Sequence, residues 1–224
     1  MTGRYYEQVG GLRSVSRRAG DDGTTAVTLH TDAGDVACRY HPAAEGAAGV
    51  VWVFGSGGGL GGPAGGLYER LGRALVPEGV ASLELDYRRP GVLEPCVRDV
   101  LAGLTFLENE GRERLVLVGH SFGGAVVIRA ALAHPDVAAV AALSSQTAGT
   151  ERVGKLRGRS LLVLHGEADE VLPDACSRGI FERAGEPKKL LLYPNCGHGL
   201  DACRDAVDRD LAAWLRTVIH PPRR

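Results

Sequence analysis

The chain has 224 residues, with Lys+Arg 26 against Asp+Glu 27 and a formal net charge of −1. That length suits one medium α/β domain with a good-sized core, and the near-zero charge gives no reason to expect nucleic acid or an anionic membrane as partner. No apolar run approaches the ~20 residues that span a bilayer, and the start M-T-G-R-Y-Y-E-Q-V-G lacks an apolar signal core, so the expected location is the cytoplasm, with Cys38, Cys96, Cys176, Cys196 and Cys203 as reduced thiols.

Residues 1–23 are polar and without clear periodicity, which predicts a loosely ordered leader ahead of a single domain over 24–220. Arg17-Arg18 is not followed by an apolar segment, so it is no twin-arginine signal. Ala26 to His30 and Val36 to Tyr40, separated by T-D-A-G-D, predict an antiparallel hairpin, and Val50 to Phe54 is the first run apolar enough for a central strand.

Gly55 to Gly66, G-S-G-G-G-L-G-G-P-A-G-G, has the most unusual composition in the chain. Gly57, Gly59 and Gly62 satisfy G-x-G-x-x-G after a strand, and Glu84 and Asp86 end the next strand about where a dinucleotide fold places its ribose ligand, so an NAD(P)-type site is one alternative. Against it, the glycine run continues through Pro63 and Gly66, whereas a dinucleotide site needs its helix to start on the phosphates. On the other reading, this side-chain-free loop brings a backbone N–H, that of Ser56, to a developing oxyanion.

Tyr68 to Val76 predicts a helix and Ala81 to Tyr87 a strand. Val97, Val100, Leu101, Leu104 and Leu107 recur at helical spacing, as core rather than site residues. Leu115 to Val118 is a short β-branched run of the kind buried on both faces of a parallel sheet. Gly119-His120-Ser121-Phe122-Gly123 follows at once and fits G-x-S-x-G, in which a serine rides a strained strand-to-helix turn with its hydroxyl above the sheet. Such short matches arise by chance in a chain with 32 glycines. The apolar strand before it and the Ala/Val-rich helix after it supply the context the motif requires.

His134-Pro135-Asp136 ends that helix, and Val137 to Leu143 and Ser160 to Leu164 predict two more strands. The link between them, residues 144–159, is too short for a helical cap, so an open site is expected. A helix from Pro173 to about Ala184, a last strand Lys189 to Tyr193, and a final helix Asp201 to Val218 complete the domain, leaving 221–224 as a tail.

Strands alternating with helices predict a mostly parallel sheet covered on both faces, with its site at the carboxyl ends of the strands. Ser121, Asp169 and His198 each follow such a strand. A serine hydroxyl needs a base to take its proton, and the base needs a carboxylate to hold its tautomer. Of seven histidines, His120 adjoins the serine and is expected to point away, His165 lies close to Asp169 in sequence, and His30, His41, His134 and His220 lie off the strand ends. His198, flanked by Gly197 and Gly199, has the placement of a base. Among Glu167, Asp169, Glu170 and Asp174, Asp169 at the loop apex is the carboxylate favoured. Cys196-x-His198 with Cys203 is not a metal-ligand spacing, so Cys196 is expected as a bystander thiol.

With G-H-S-F-G-G at 119–124, H-G-E-A-D at 165–169 and G-H-G at 197–199 in that order, the chain resembles the α/β-hydrolase superfamily, and within it the small capless dienelactone-hydrolase-like members. The resemblance implies an α/β fold with a mostly parallel eight-stranded sheet, helices on both faces and no cap domain. It further implies a serine esterase that works without cofactor or metal on a small acyl substrate, with Phe122 and Ser56 supplying oxyanion N–H groups. Phe54-Gly55-Ser56 stands where many relatives carry His-Gly, and Ser121 stands where dienelactone hydrolases proper carry cysteine. A thioesterase, or a non-catalytic binding module on the same fold, is also compatible with these residues.

Overall fold

The computed structural model describes residues 11–220, so the expectations for residues 1–10 and for the tail 221–224 lie outside it. Among the described residues one sheet of nine strands runs through the molecule. In chain order these are β1 (Leu12–Ala19), β2 (Thr25–Thr31), β3 (Gly34–His41), β4 (Ala48–Val53), β5 (Val80–Asp86), β6 (Arg114–His120), β7 (Val137–Leu143), β8 (Ser160–Gly166) and β9 (Lys188–Tyr193). Their spatial order is β1-β2-β3-β5-β4-β6-β7-β8-β9. β1, β2, β3 and β5 pair antiparallel, and from β5 through β4 to β9 every pairing is parallel.

The ninth strand corrects the reading of a loose leader and an eight-stranded sheet. Leu12–Ala19 pairs along β2, with Val15 opposite Leu29 and Arg17 opposite Val27. Only Leu12 and Val15 pack against the core, and the rest of the strand is arginine- and serine-rich. An edge strand is held by backbone pairing on one side and carries charge on its exposed positions, so it shows no apolar run to read. Arg17 adds a paired contact to Glu110 at 2.6 and 3.1 Å and lies over the Phe106 ring.

Five α-helices among the described residues cover the sheet: α1 (Pro63–Leu75), α2 (Leu93–Asn109), α3 (Phe122–Ala133), α4 (Ala175–Arg183) and α5 (Arg204–Ile219). Side chains alternate across each strand, so the parallel strands feed two cores. Val51 and Val53 of β4 and Leu115 and Leu117 of β6 face one core with α2, α3 and α4. Val50, Trp52, Val116 and Val118 face the other with α1 and α5. Both faces being buried is what makes β4 and β6 near-continuous apolar runs.

Helix α1 begins at Pro63, ahead of the Tyr68 expected from periodicity, but Ala64, Gly65 and Gly66 carry left-handed dihedrals and its regular part starts after them. The final helix is split, a 3-10 turn over Asp201–Cys203 leading into α5. The link between β7 and β8 contains only a 3-10 turn, Val153–Leu156, so no helical cap interrupts the fold among the described residues. No described helix is long and apolar enough to cross a membrane.

Candidate active site

β6 delivers its last residue, His120, directly to the turn, and α3 starts one residue after Ser121. Ser121 sits at φ 57°, a conformation costing on the order of 1–3 kcal/mol for a residue with a side chain. The surroundings hold it there: its N–H donates to the Leu143 carbonyl at 2.8 Å, and Gly124 N–H donates to its own carbonyl. A Cβ at Gly119 would stand 2.2 Å from the Gly123 carbonyl oxygen, and one at Gly123 would stand 2.3 Å from that of Phe54. Only glycine permits strand and helix to close on each other at those two points. Ser121 makes no side-chain cap to its helix, although serine at that position ordinarily does. Its hydroxyl is turned elsewhere.

His198 Nε2 lies 3.0 Å from Ser121 Oγ, and His198 Nδ1 lies 2.7 Å from Asp169 Oδ2. The three residues nominated by sequence order are therefore in contact above the carboxyl ends of β6, β8 and β9. The Asp169 side chain is fully buried and the His198 ring is 16% exposed. Asp169 Oδ1 accepts the N–H groups of Val171 and Leu172, both at 2.8 Å. Burial pushes the Asp169 carboxyl up, but the Leu172 N–H, the His198 ring and the Val171 N–H outweigh it and hold the carboxyl below its ordinary value.

One histidine behaves otherwise than expected. His120 does not point away: its ring packs 4.8 Å from that of His198, and its Nε2 donates to the His198 carbonyl at 2.9 Å. Burial lowers its basicity to about 4, and its Nδ1 meets no partner among the described residues, so a second ring proton would be stranded. His165, close to Asp169 in sequence, is close to it in space as well. The turn closed by Asp169 N–H on the Gly166 carbonyl folds the loop back, and His165 Nε2 comes within 3.0 Å of Asp169 Oδ2. Glu167 and Asp174 instead pair with Arg178 on α4, as solvated loop charges do.

The glycine loop decides the dinucleotide alternative. Gly59 N–H donates to Asp86 at 2.6 Å and Gly61 N–H to Glu84 at 2.7 Å. Ala64 N–H, at the start of α1, donates to the Gly199 carbonyl at 2.7 Å. The donors that a pyrophosphate would need are thus taken by the chain itself, and two carboxylates stand where the phosphates would lie. Glu84 and Asp86 tie down the loop rather than read a ribose. Glu84 is itself buried against His41 at 2.8 Å. At the loop's start, Gly55 lies beside the serine, where an added Cβ would stand 3.5 Å from Ser121 Cβ. Ser56 is exposed next to it, and Phe122 is buried at the first position of α3.

Cys196 and Cys203 form a disulfide that brackets His198, which corrects the expectation of five reduced thiols and of a bystander thiol at 196. Cys38, Cys96 and Cys176 are free. Burial pushes the Cys96 thiol up to about 12, as befits a core residue.

The model of the dienelactone hydrolase family matches residues 82–218, more than half of the chain. The chain belongs to the dienelactone hydrolase family. A dienelactone hydrolase from Anabaena variabilis is similar in structure, with a TM-score of 0.74 and 15% identity over 93% of this chain and 100% of that one. The esterase domain of a Rhodothermus marinus protein has a TM-score of 0.72 and 19% identity over 92% and 100%. At such identities these likenesses show the fold, a mostly parallel α/β-hydrolase sheet without a cap. In sequence, the uncharacterized protein YfhR of Escherichia coli is 31% identical over 116 residues, 42% of this chain and 40% of that relative's length. Within this family fold, both the serine turn and the Asp169 and His198 loops fall inside the matched span.

Proposed function

We propose that this member of the dienelactone hydrolase family is a serine hydrolase that cleaves a carboxylic ester or related acyl bond through an acyl-enzyme. The observation that carries the reading is the unbroken path from Ser121 Oγ through His198 to Asp169. Ser121 Oγ attacks the acyl carbonyl while His198 Nε2 takes its proton. Asp169 holds the proton on Nδ1 and stabilises the imidazolium that forms. The Phe122 N–H, at the first position of α3, has no carbonyl one turn earlier in the helix, and with the Ser56 N–H it receives the oxyanion. His198 then returns the proton to the leaving oxygen, and water, deprotonated by the same ring, releases the acid. No cofactor or metal takes part in these steps.

Ser121→Ala tests the assignment on a short p-nitrophenyl ester. The expected result is a loss of roughly 10³-fold or more in kcat together with loss of labelling by a fluorophosphonate. Full turnover by the variant would refute it. A panel of esters and thioesters of rising acyl length on the parent protein then defines the substrate.

A further inference from the structure

A second imidazole stands behind Asp169, fully buried, and the steps above do not use it. His165 Nδ1 lies 2.7 Å from the hydroxyl of Ser177 on α4, and its Nε2 lies 3.0 Å from the Leu172 carbonyl and 3.0 Å from Asp169 Oδ2. Both groups facing Nε2 only accept, so the proton must sit on Nε2, and Nδ1 must accept from the Ser177 hydroxyl. The contacts close a ring: His165 holds the Leu172 carbonyl, Leu172 N–H holds Asp169 Oδ1, and Asp169 Oδ2 lies between the two imidazoles. A buried serine is an uneconomical way to fill space beside a strand end unless its hydrogen bond does something. Here it fixes the tautomer of the ring behind the acid.

From this we propose that His165, with its tautomer set by Ser177, is a positioning residue that fixes the Asp169 carboxylate for His198. The proposal rests on the reading of Ser121, His198 and Asp169 as the reacting set. It has a consequence in sign as well as size. A donor beside Oδ2 withdraws negative charge from the oxygen that faces His198, so removing it concentrates that charge and favours the His198 imidazolium. The acidic limb of kcat/KM must then move to higher pH. The other groups around His198 are Ser121, His120 from β6, Glu170 close to Gly197, and Asp201 close to Gly199. None of them changes in the variants below.

The test compares His165→Phe, His165→Gln and Ser177→Ala with the parent on a short p-nitrophenyl ester across pH. For His165→Phe we expect kcat to fall about tenfold with KM little changed, since the variant loses both the hydrogen bond to the Leu172 carbonyl and the N–H that lies 3.0 Å from Asp169 Oδ2. We also expect its acidic limb to move to higher pH. Ser177→Ala should move both in the same direction by less. His165→Gln, whose amide can still donate, should recover most of the loss, which a purely structural role would not require. A folded His165→Phe protein with the parental kcat and limb overturns the proposal. If that variant does not fold, parental values for Ser177→Ala overturn it instead. A parent without Ser121-dependent turnover would overturn the underlying reading as well, whereas Ser121-dependent turnover indifferent to positions 165 and 177 overturns this inference alone.

Discussion

Two main-chain N–H groups determine which way round an amide could sit at position 169. Val171 and Leu172 both donate to Oδ1, so in Asp169→Asn the carbonyl oxygen must stay on that side and the NH2 must turn toward His198 and His165. His198 would then offer Nδ1 as acceptor and carry its proton on Nε2, facing Ser121 with a donor where a base is required. We expect kcat to fall by on the order of 10³ to 10⁴ with the fold intact. Steady-state kinetics beside a thermal melt measures both, and a loss under tenfold in a stable variant would mean that Asp169 does not set the tautomer. That Ser121, Asp169 and His198 meet was legible in the sequence because the proposed chemistry wants particular residue types immediately after particular strands. His165 was not legible. It precedes Asp169 by four residues, and only the turn closed on Gly166 brings the two side chains together.

At the scale of elements, the segment after β9 is built to present one ring. Cys196 and Cys203 close a loop around His198, Cys196 accepts the Ala168 N–H at its carbonyl, and Gly199 accepts from the first turn of α1. The Asp169 loop and the glycine loop are thereby both fastened to the His198 loop. Closing a loop this short lowers the entropy of the unfolded chain by an amount worth on the order of 2 kcal/mol. Denatured protein treated with an alkylating agent should gain three adducts without reductant and five with it, and Cys203→Ser should melt several degrees lower. Five adducts without reductant would mean that the bond does not form. Spacing could not reveal it, since a separation of seven residues fits no framework, and five cysteines invite the reading of thiols. The strands of the two-faced sheet were legible to within a few residues because β4, β6, β7 and β8 are apolar on both sides. β1 was not, because it owes its shape to β2 and its solubility to Arg13, Arg17 and Arg18.

For the molecule as a whole, a histidine beside the site ties stability to pH. His120 ends the central strand β6, packs between Phe54 and His198, and is bonded to the His198 carbonyl, so it joins the serine turn to the base-bearing loop across the sheet's upper rim. It is neutral in the folded protein down to about pH 4, whereas the unfolded chain takes up its proton near 6.5. Between those values the unfolded state binds more protons, so stability is full above about pH 6.5, falls as pH drops through the window, and stops falling on this account near 4. The difference corresponds to about 3 kcal/mol at most. Asp169 acts lower: its depressed carboxyl stabilises the fold above 3.8 and gives that up only as pH falls through its folded value. Acid should therefore begin to loosen the molecule through His120, before the depressed carboxyls, Asp169 among them, give up their contributions. Urea unfolding at pH 7 and at pH 4.5 checks this against His120→Gln, whose amide reaches as far as the ring Nε2, keeps a donor for the His198 carbonyl and does not titrate. The variant should be less stable at pH 7 yet lose less than the parent on acidification, by on the order of 2 kcal/mol. Equal losses would mean that the ring already carries its charge in the folded state, and the packing of two imidazoles at 4.8 Å would then need another account.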